Sequence, residues 1–354
     1  MSFITGPFTL APGEYFSDPH TNYWVCPEIA RLFLERGYDV DVINWDDNHF
    51  IPRKKYAACI DTQQNLERLS PFLGSGCVKI MHITGALPSF QNQAEQTRLK
   101  ALEKRRGVSL AEKRKIKDSN NQKYADFIEG YGNQIIHDTY RAFGKKIISI
   151  PIPSMETYDF PTHKDFATTR KNFLWFGGGG AILKGLDLVI ETFASLPHLN
   201  LSIVGPATFE KGFRELYAKE LNLPNITHYG RPRITKNGEI KTGDRNFLDI
   251  INECAAIIYP SSSEGTSGSV VQAMHAGLVP IVTPETGIDP EAGGIIIKNP
   301  DPESLRDTVL SFSNLIPEKI KSMAITSWSY AQTHYTKAEF TKKYASFIDT
   351  VLKL

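Results

Sequence analysis

Cysteine is scarce in this chain of 354 residues, and the four present, Cys26, Cys59, Cys77 and Cys254, lack the close spacing of a metal or redox site. That pattern excludes a disulfide scaffold and a zinc signature and predicts four reduced core thiols, as in a cytosolic protein. Long apolar runs are missing too. None approaches the roughly 18 residues of a membrane span, and the opening MSFITGPFTLAPGEYF lacks the basic leader and apolar stretch of a secretion signal. The expectation is a cytoplasmic protein. An excess of one charge is also absent: 40 Lys+Arg against 39 Asp+Glu give a formal net charge of +1, so nothing global attracts nucleic acid. A small-molecule substrate stays open.

What is present is alternation. A chain this long exceeds a single core, which predicts two domains. In the first half, Pro27 to Arg36 has helical period, with Ile29, Leu32 and Phe33 on one side and Gly37 as its stop, and short apolar runs at 39–43, 56–60, 78–83 and 147–150 read as strands. The second half opens with the strand 173–176, which leads into Gly177 to Gly180. Next come a helix over 185–196, a strand over 199–204 ending in Gly205, a helix over 209–221 and a strand over 226–229. Repeated strand–helix units imply parallel sheets, because a parallel crossover needs a covering helix. The fold class is therefore α/β, with two Rossmann-like doubly wound domains facing a central cleft. The boundary is expected within 158–170 and ligand at the carboxyl ends of the strands.

The most informative stretch is YPSSSEGTSGSVVQAMHAGLVPIV, residues 259–282. A buried strand ends at Pro260, a flexible loop of Gly265, Thr266, Ser267 and Gly268 follows, and helical period begins at Val270 and stops at Gly277. Free N–H groups at such a helix start attract phosphate. The plainer reading is an ordinary capped helix, since Ser269 and Gln272 satisfy a capping box. A second stretch, 94–117, is rich in Arg and Lys, including Arg98, Arg105, Arg106, Arg114 and Lys117. It reads either as a solvated helical hairpin interrupted at Gly107 or as a face for an anionic lipid or acceptor, which would make contact with a membrane peripheral.

Three ordered segments carry a resemblance: WFGGGGAILKGLDLVIETFASLP, IVGPATFEKGFRELYAKELNLPNITHYGRP and PSSSEGTSGSVVQAMHAGLVPIVTPETGI. Together they resemble the nucleotide-sugar-binding domain of the GT-B retaining glycosyltransferases, family 4-like and group 1, over 172–288. HTNYWVCPEIARLFLERGYDVDV in the first half is similar only in layout. The resemblance implies an acceptor-side domain over 1–163, a nucleotide-sugar domain over 164–332 and a final segment, 333–354, whose helix returns to the first domain. It assigns Lys184 to the donor diphosphate, which a fixed cation would stabilise as charge builds on the leaving group. Glu264 would bond the sugar hydroxyls, the amides of Gly265 to Ser269 would hold phosphate, and Gly178, Gly179 and Gly205 would lie along the donor.

Two departures stand out. The family's second motif glutamate, a ribose ligand, is Gln272 here, and the arginine five residues before the lysine falls on Gly179. An amide lacks the charge-assisted strength of a carboxylate, and Arg231 or Arg233 is a candidate replacement cation. In the first domain, His82 at the end of VKIMHITG is placed in the cleft as a catalytic candidate, with a satisfied core histidine as the alternative. Gly13, His20, Thr21 and Asn22 share that cleft by topology. The implied activity is retaining, metal-independent transfer from a UDP-sugar, with UDP-glucose the best guess, to a glycan or lipid-linked acceptor in polysaccharide assembly. No cofactor is expected. A phosphorylase or epimerase, and a nucleotide-sugar scaffold protein with weakened catalysis, are the alternatives.

Overall fold

The computed structural model describes residues 1–11, 14, 16, 17 and 20–353, so Gly13 lies outside the described residues. The first sheet is built from β1 Ser2–Phe3, β2 Ile43–Asn44, β3 Ala58–Asp61, β4 Val78–Ile83, β5 Phe127–Gly130 and β6 Ile147–Ser149, in the order β2-β1-β3-β4-β5-β6 with every pairing parallel. The second contains β7 Asn172–Phe176, β8 Asn200–Val204 and β9 Ile226–Gly230. A small antiparallel insertion follows, with β10 Arg233–Ile234, β11 Ile240–Thr242 and β12 Arg245–Asn246. β13 Ala256–Tyr259, β14 Val279–Val282 and β15 Ile295–Ile296 then complete a parallel sheet of order β15-β14-β13-β7-β8-β9.

This order explains where a ligand can sit. The chain enters the second sheet at β7, grows outward through β8 and β9, then returns to lay β13 on the other side of β7. Two neighbouring strands whose connections depart in opposite directions leave a crevice at their carboxyl ends. The Gly177 turn leaves β7 there and the Pro260–Ser269 loop leaves β13. Both strands are apolar along nearly their whole length because helices cover both faces of a parallel sheet, and β13 and β14 are buried at every residue.

Several elements differ from the sequence expectations. The first helix spans Asn22–Leu34 and begins five residues early, with Pro27 inside it. The expected helix over 209–221 is broken into short turns, with only Phe213–Leu216 in α conformation. The helix after the anion loop runs Gly268–His275 with Ser267 as its N-cap, so the Ser269–Gln272 capping box does not form. A final helix, Lys337–Leu352, packs on the first domain, where Arg36 Nε bonds Asp349 Oδ1 at 2.6 Å and Tyr344 Oη bonds Glu129 Oε1 at 3.0 Å. All four cysteines are buried and free. Among the described residues no helix is long and apolar enough to cross a membrane.

The basic stretch is the largest correction. It forms one helix, Pro88–Arg106, ended by Gly107 in left-handed conformation, and among the described residues no second helix makes it a hairpin. Its inner stripe is Gln91, Glu95, Arg98 and Leu102, all buried at helical spacing. Arg98 is only 7% exposed and donates to the carbonyls of Pro260 and Pro300 in the second domain. Arg105 Nη2 bonds Asp187 Oδ2 at 2.6 Å and its Nε bonds Glu191 Oε2 at 3.1 Å, while Arg106 bonds Glu220 Oε1 at 2.8 Å. Three arginines of this stretch therefore join the domains, and Arg98 does so from a buried position. Burial of Asp187 pushes its carboxyl up, and the Arg98 and Arg105 guanidiniums oppose that rise.

Candidate functional site

At the crevice between β7 and β13, the Lys184 ammonium is in contact with Glu264 Oε1. The same carboxylate oxygen accepts from Tyr259 Oη at 3.1 Å and Ser261 Oγ at 3.3 Å. The two charged side chains are 9% and 18% exposed, so the pair is enclosed yet open at one side. Lys184 Nζ also stands 5.6 Å from the centroid of the Tyr259 ring. Burial pushes the Tyr259 phenol well up and the Glu264 charge adds to it, which keeps the hydroxyl a protonated donor.

The loop beyond Glu264 meets the first domain directly. Ala86 N donates to Glu264 O at 3.0 Å, and a Cβ on Gly265 would stand 2.5 Å from Thr84 O. Only glycine permits that approach. Ser267 N is used by Thr286 O at 3.0 Å. Among the described residues none accepts from the N–H groups of Gly268, Ser269 or Val270, the first turn of the helix. Gly268 faces the first domain, where a Cβ added to it would lie 3.5 Å from Thr21 Oγ1. These three amides, with the positive end of the helix, make a surface that can accept an anion between the domains.

The architecture matches that of known proteins. Sucrose-phosphate synthase from Thermosynechococcus elongatus is similar with a TM-score of 0.66 at 13% identity, covering 94% of each chain. Anabaena HepE, solved in complex with UDP and glucose, gives 0.61 at 12% identity over 95% of this chain and 98% of its own. The fold is GT-B. Staphylococcus aureus TarM, solved with UDP among its ligands, gives a TM-score of 0.54 at 13% identity over 79% of this chain, and this chain spans 52% of TarM. Residues 170–314 match the family model of glycosyl transferases group 1. No curated protein matches the chain.

Within this GT-B cleft the sequence candidates separate. Lys184, Glu264 and the loop from Gly265 to Ser269 come together. Gly178 borders open space, since an added Cβ would meet nothing within 4 Å, whereas one on Gly179 would lie 3.3 Å from Glu210 Oε1. The Glu210 carboxylate accepts from Gly180 N and, at 3.3 Å, from Ala181 N, and it escaped the sequence reading. Gly205 is where two strand ends meet, its N–H donating to Gly230 O at 2.7 Å. Arg231, just before the small insertion sheet, and Arg233, in its strand β10, are exposed, and Arg231 has a partner. Asn22 N donates to His20 Nδ1 at 3.2 Å beside the start of the first helix.

Two candidates are placed differently from expectation. His82 is 0% exposed and does not face the cleft: its Nδ1 lies 2.8 Å from Glu129 Oε1, and its ring is enclosed by Phe3, Tyr131 and Tyr344. It belongs to the interior of β4, and the chain reaches the cleft only two residues later, at Thr84. Gln272 is turned to the interdomain segment. Its Oε1 accepts from Ser154 Oγ at 2.9 Å and Glu156 N at 3.2 Å, and its Nε2 donates to Glu156 O at 3.1 Å. The amide thus secures the domain junction, a role for which Gln supplies both donor and acceptor. Tyr259 and Ser261 had no signal of their own, because both lie in a run that reads as strand and turn.

Proposed function

We propose that this protein transfers a sugar from a nucleoside-diphosphate donor, UDP-glucose as the first choice, to a glycan or lipid-linked hydroxyl in polysaccharide assembly. The observation that carries the reading is the Lys184–Glu264 pair at the crevice, beside three amides at a helix start that have no acceptor among the described residues. In this reading the amides and Lys184 hold the diphosphate and Glu264 orients the sugar hydroxyls. The acceptor oxygen bonds to the anomeric carbon as the carbon–oxygen bond to phosphate breaks, and the hydroxyl proton passes to the leaving phosphate oxygen. Attack from the face of departure gives retention. The positive charge comes from the protein itself, so the scheme invokes no metal. HepE and TarM, each solved with UDP, support UDP as the nucleotide to test first.

The test is UDP release from a panel of UDP-sugars with glycan and lipid-linked acceptors. Turnover is expected from at least one pair, and Lys184→Ala is expected to lower it by about 100-fold or more. Undiminished turnover in that variant overturns the site. A scaffold role is the second reading, favoured by the engagement of Gln272 with Ser154 and Glu156. It requires UDP binding without transfer to any acceptor in the panel.

A further inference from the structure

We propose that Arg114, carried by the first domain, grips the diphosphate of a nucleotide-sugar held by the second, so that donor charge is read by both domains. This rests on the donor reading above. The need for a further cation follows from the pair itself. Lys184 is neutralised by Glu264, and a helix start offers only about half a positive charge, while a diphosphate ester carries more negative charge than that. Gly179 contributes none.

Arg114 meets the need by position. Its side chain is exposed, and among the described residues its guanidinium has no hydrogen bond or ion pair. Its stem crosses the turn that leads from β7 to Lys184: a Cβ on Gly180 would stand 2.9 Å from Arg114 Cδ. Gly180 has φ +96, so glycine there serves both the turn and the passage of this side chain. The charge reaches the reactive cluster, since Arg114 is among the groups that oppose the rise of the Tyr259 phenol.

The segment bearing Arg114 is fixed. Glu95, 1% exposed, accepts from Lys113 N at 2.8 Å and from Arg114 N at 3.0 Å, and Gln91 Nε2 donates to Arg114 O at 2.7 Å. Both side chains belong to the buried stripe of the Pro88–Arg106 helix, whose Arg98 is bonded to Pro260 beside the same loop. One stripe therefore anchors both the second domain and the segment that presents Arg114. A planar guanidinium that stays charged at any working pH suits a phosphate better than another lysine would.

The test is calorimetry of UDP and uridine on the intact protein, with GDP and ADP titrated in parallel to settle the base. Arg114→Ala is expected to weaken UDP by about tenfold or more and leave uridine within about twofold, with Arg114→Lys between. Gly179 has no left-handed φ and only Glu210 Oε1 near its Cβ position, so Gly179→Arg can supply the cation from the other side. The double variant Arg114→Ala/Gly179→Arg is expected to recover most of the UDP affinity. Unchanged UDP affinity in Arg114→Ala overturns the proposal, as does an equal loss for UDP and uridine, which marks a structural role. Wild-type protein that binds none of UDP, GDP and ADP overturns the donor reading itself, a result distinct from either.

Discussion

Glu129 and Glu264 each accept from a tyrosine hydroxyl and each face a basic side chain, Tyr344 and His82 for the first, Tyr259 and Lys184 for the second. Burial pushes both phenols well up and the neighbouring carboxylate adds to it, so both remain donors. Their surroundings are opposite. His82 and Glu129 are wholly enclosed, and among the described residues the imidazole Nε2 and the carboxylate Oε2 have no partner. Lys184 and Glu264 open to the cleft and the amides beyond it. Similar residue types therefore support different roles according to position along a strand. His82 and Glu129 stand within β4 and β5, where side chains enter a covered face, whereas Lys184 and Glu264 lie in loops past the ends of β7 and β13, where a doubly wound sheet leaves a crevice.

The comparison breaks most visibly if the clusters exchange phenotypes. Glu264→Ala is expected to reduce transfer by about 100-fold or more with its thermal midpoint close to wild type, because the site preorganises charge and the carboxylate is not sealed. Glu129→Ala is expected to do the reverse. Removing that acceptor leaves the Tyr344 hydroxyl buried without a partner, at a cost of about 1–3 kcal/mol in urea unfolding, while UDP affinity holds. Loss of UDP binding in a stable Glu129→Ala protein would place the sealed cluster in the donor site after all. At the junction between these regions, Gln272→Ala removes three hydrogen bonds to Ser154 and Glu156. A loss of about 1–2 kcal/mol in stability is expected, with UDP affinity within about twofold. A parallel fall in UDP and uridine affinity would instead assign the amide to the ribose.

The two domains were not equally legible. Strands of the second domain are continuous apolar runs, and Asn172–Phe176 lies within one residue of its expected bounds, 173–176, because a doubly covered parallel strand leaves little polar to confuse. In the first domain Val78–Ile83 was equally clear. The strands Ser2–Phe3 and Ile43–Asn44 have two residues each, too few for any period to appear, and the strand expected over 39–43 forms only from its last residue onward. The helix Pro88–Arg106 misled for another reason. Its buried stripe is mostly polar, so a search for an apolar face finds none, although Gln91, Glu95, Arg98 and Leu102 keep helical spacing. At the site, Lys184 and Glu264 were marked by the ordered segments that carry the family resemblance. Arg114 had no such mark, since only the interdomain contact brings it to Gly180.

The smallest expected effect lies at the far end of the helix that opens at the cleft. Its last residue, His275, is 0% exposed, with Nε2 3.1 Å from Tyr335 O and Nδ1 without a partner among the described residues. Burial lowers its pKa from the ordinary 6.5, and burial lowers His137 likewise. The unfolded chain then binds protons more readily than the folded one, so stability rises with pH across this range. It is complete above the ordinary histidine value and is lost as pH falls from that value toward the lower folded one. Urea midpoints at about pH 7.5 and about pH 5.5 should show the decline, and His275→Gln should flatten it in part, leaving the share of His137. An unchanged slope in His275→Gln would remove His275 as a cause. The start of this helix would then be its only end sensitive to charge, and the contrast between open and sealed polar groups would rest on Glu129 and Glu264 alone.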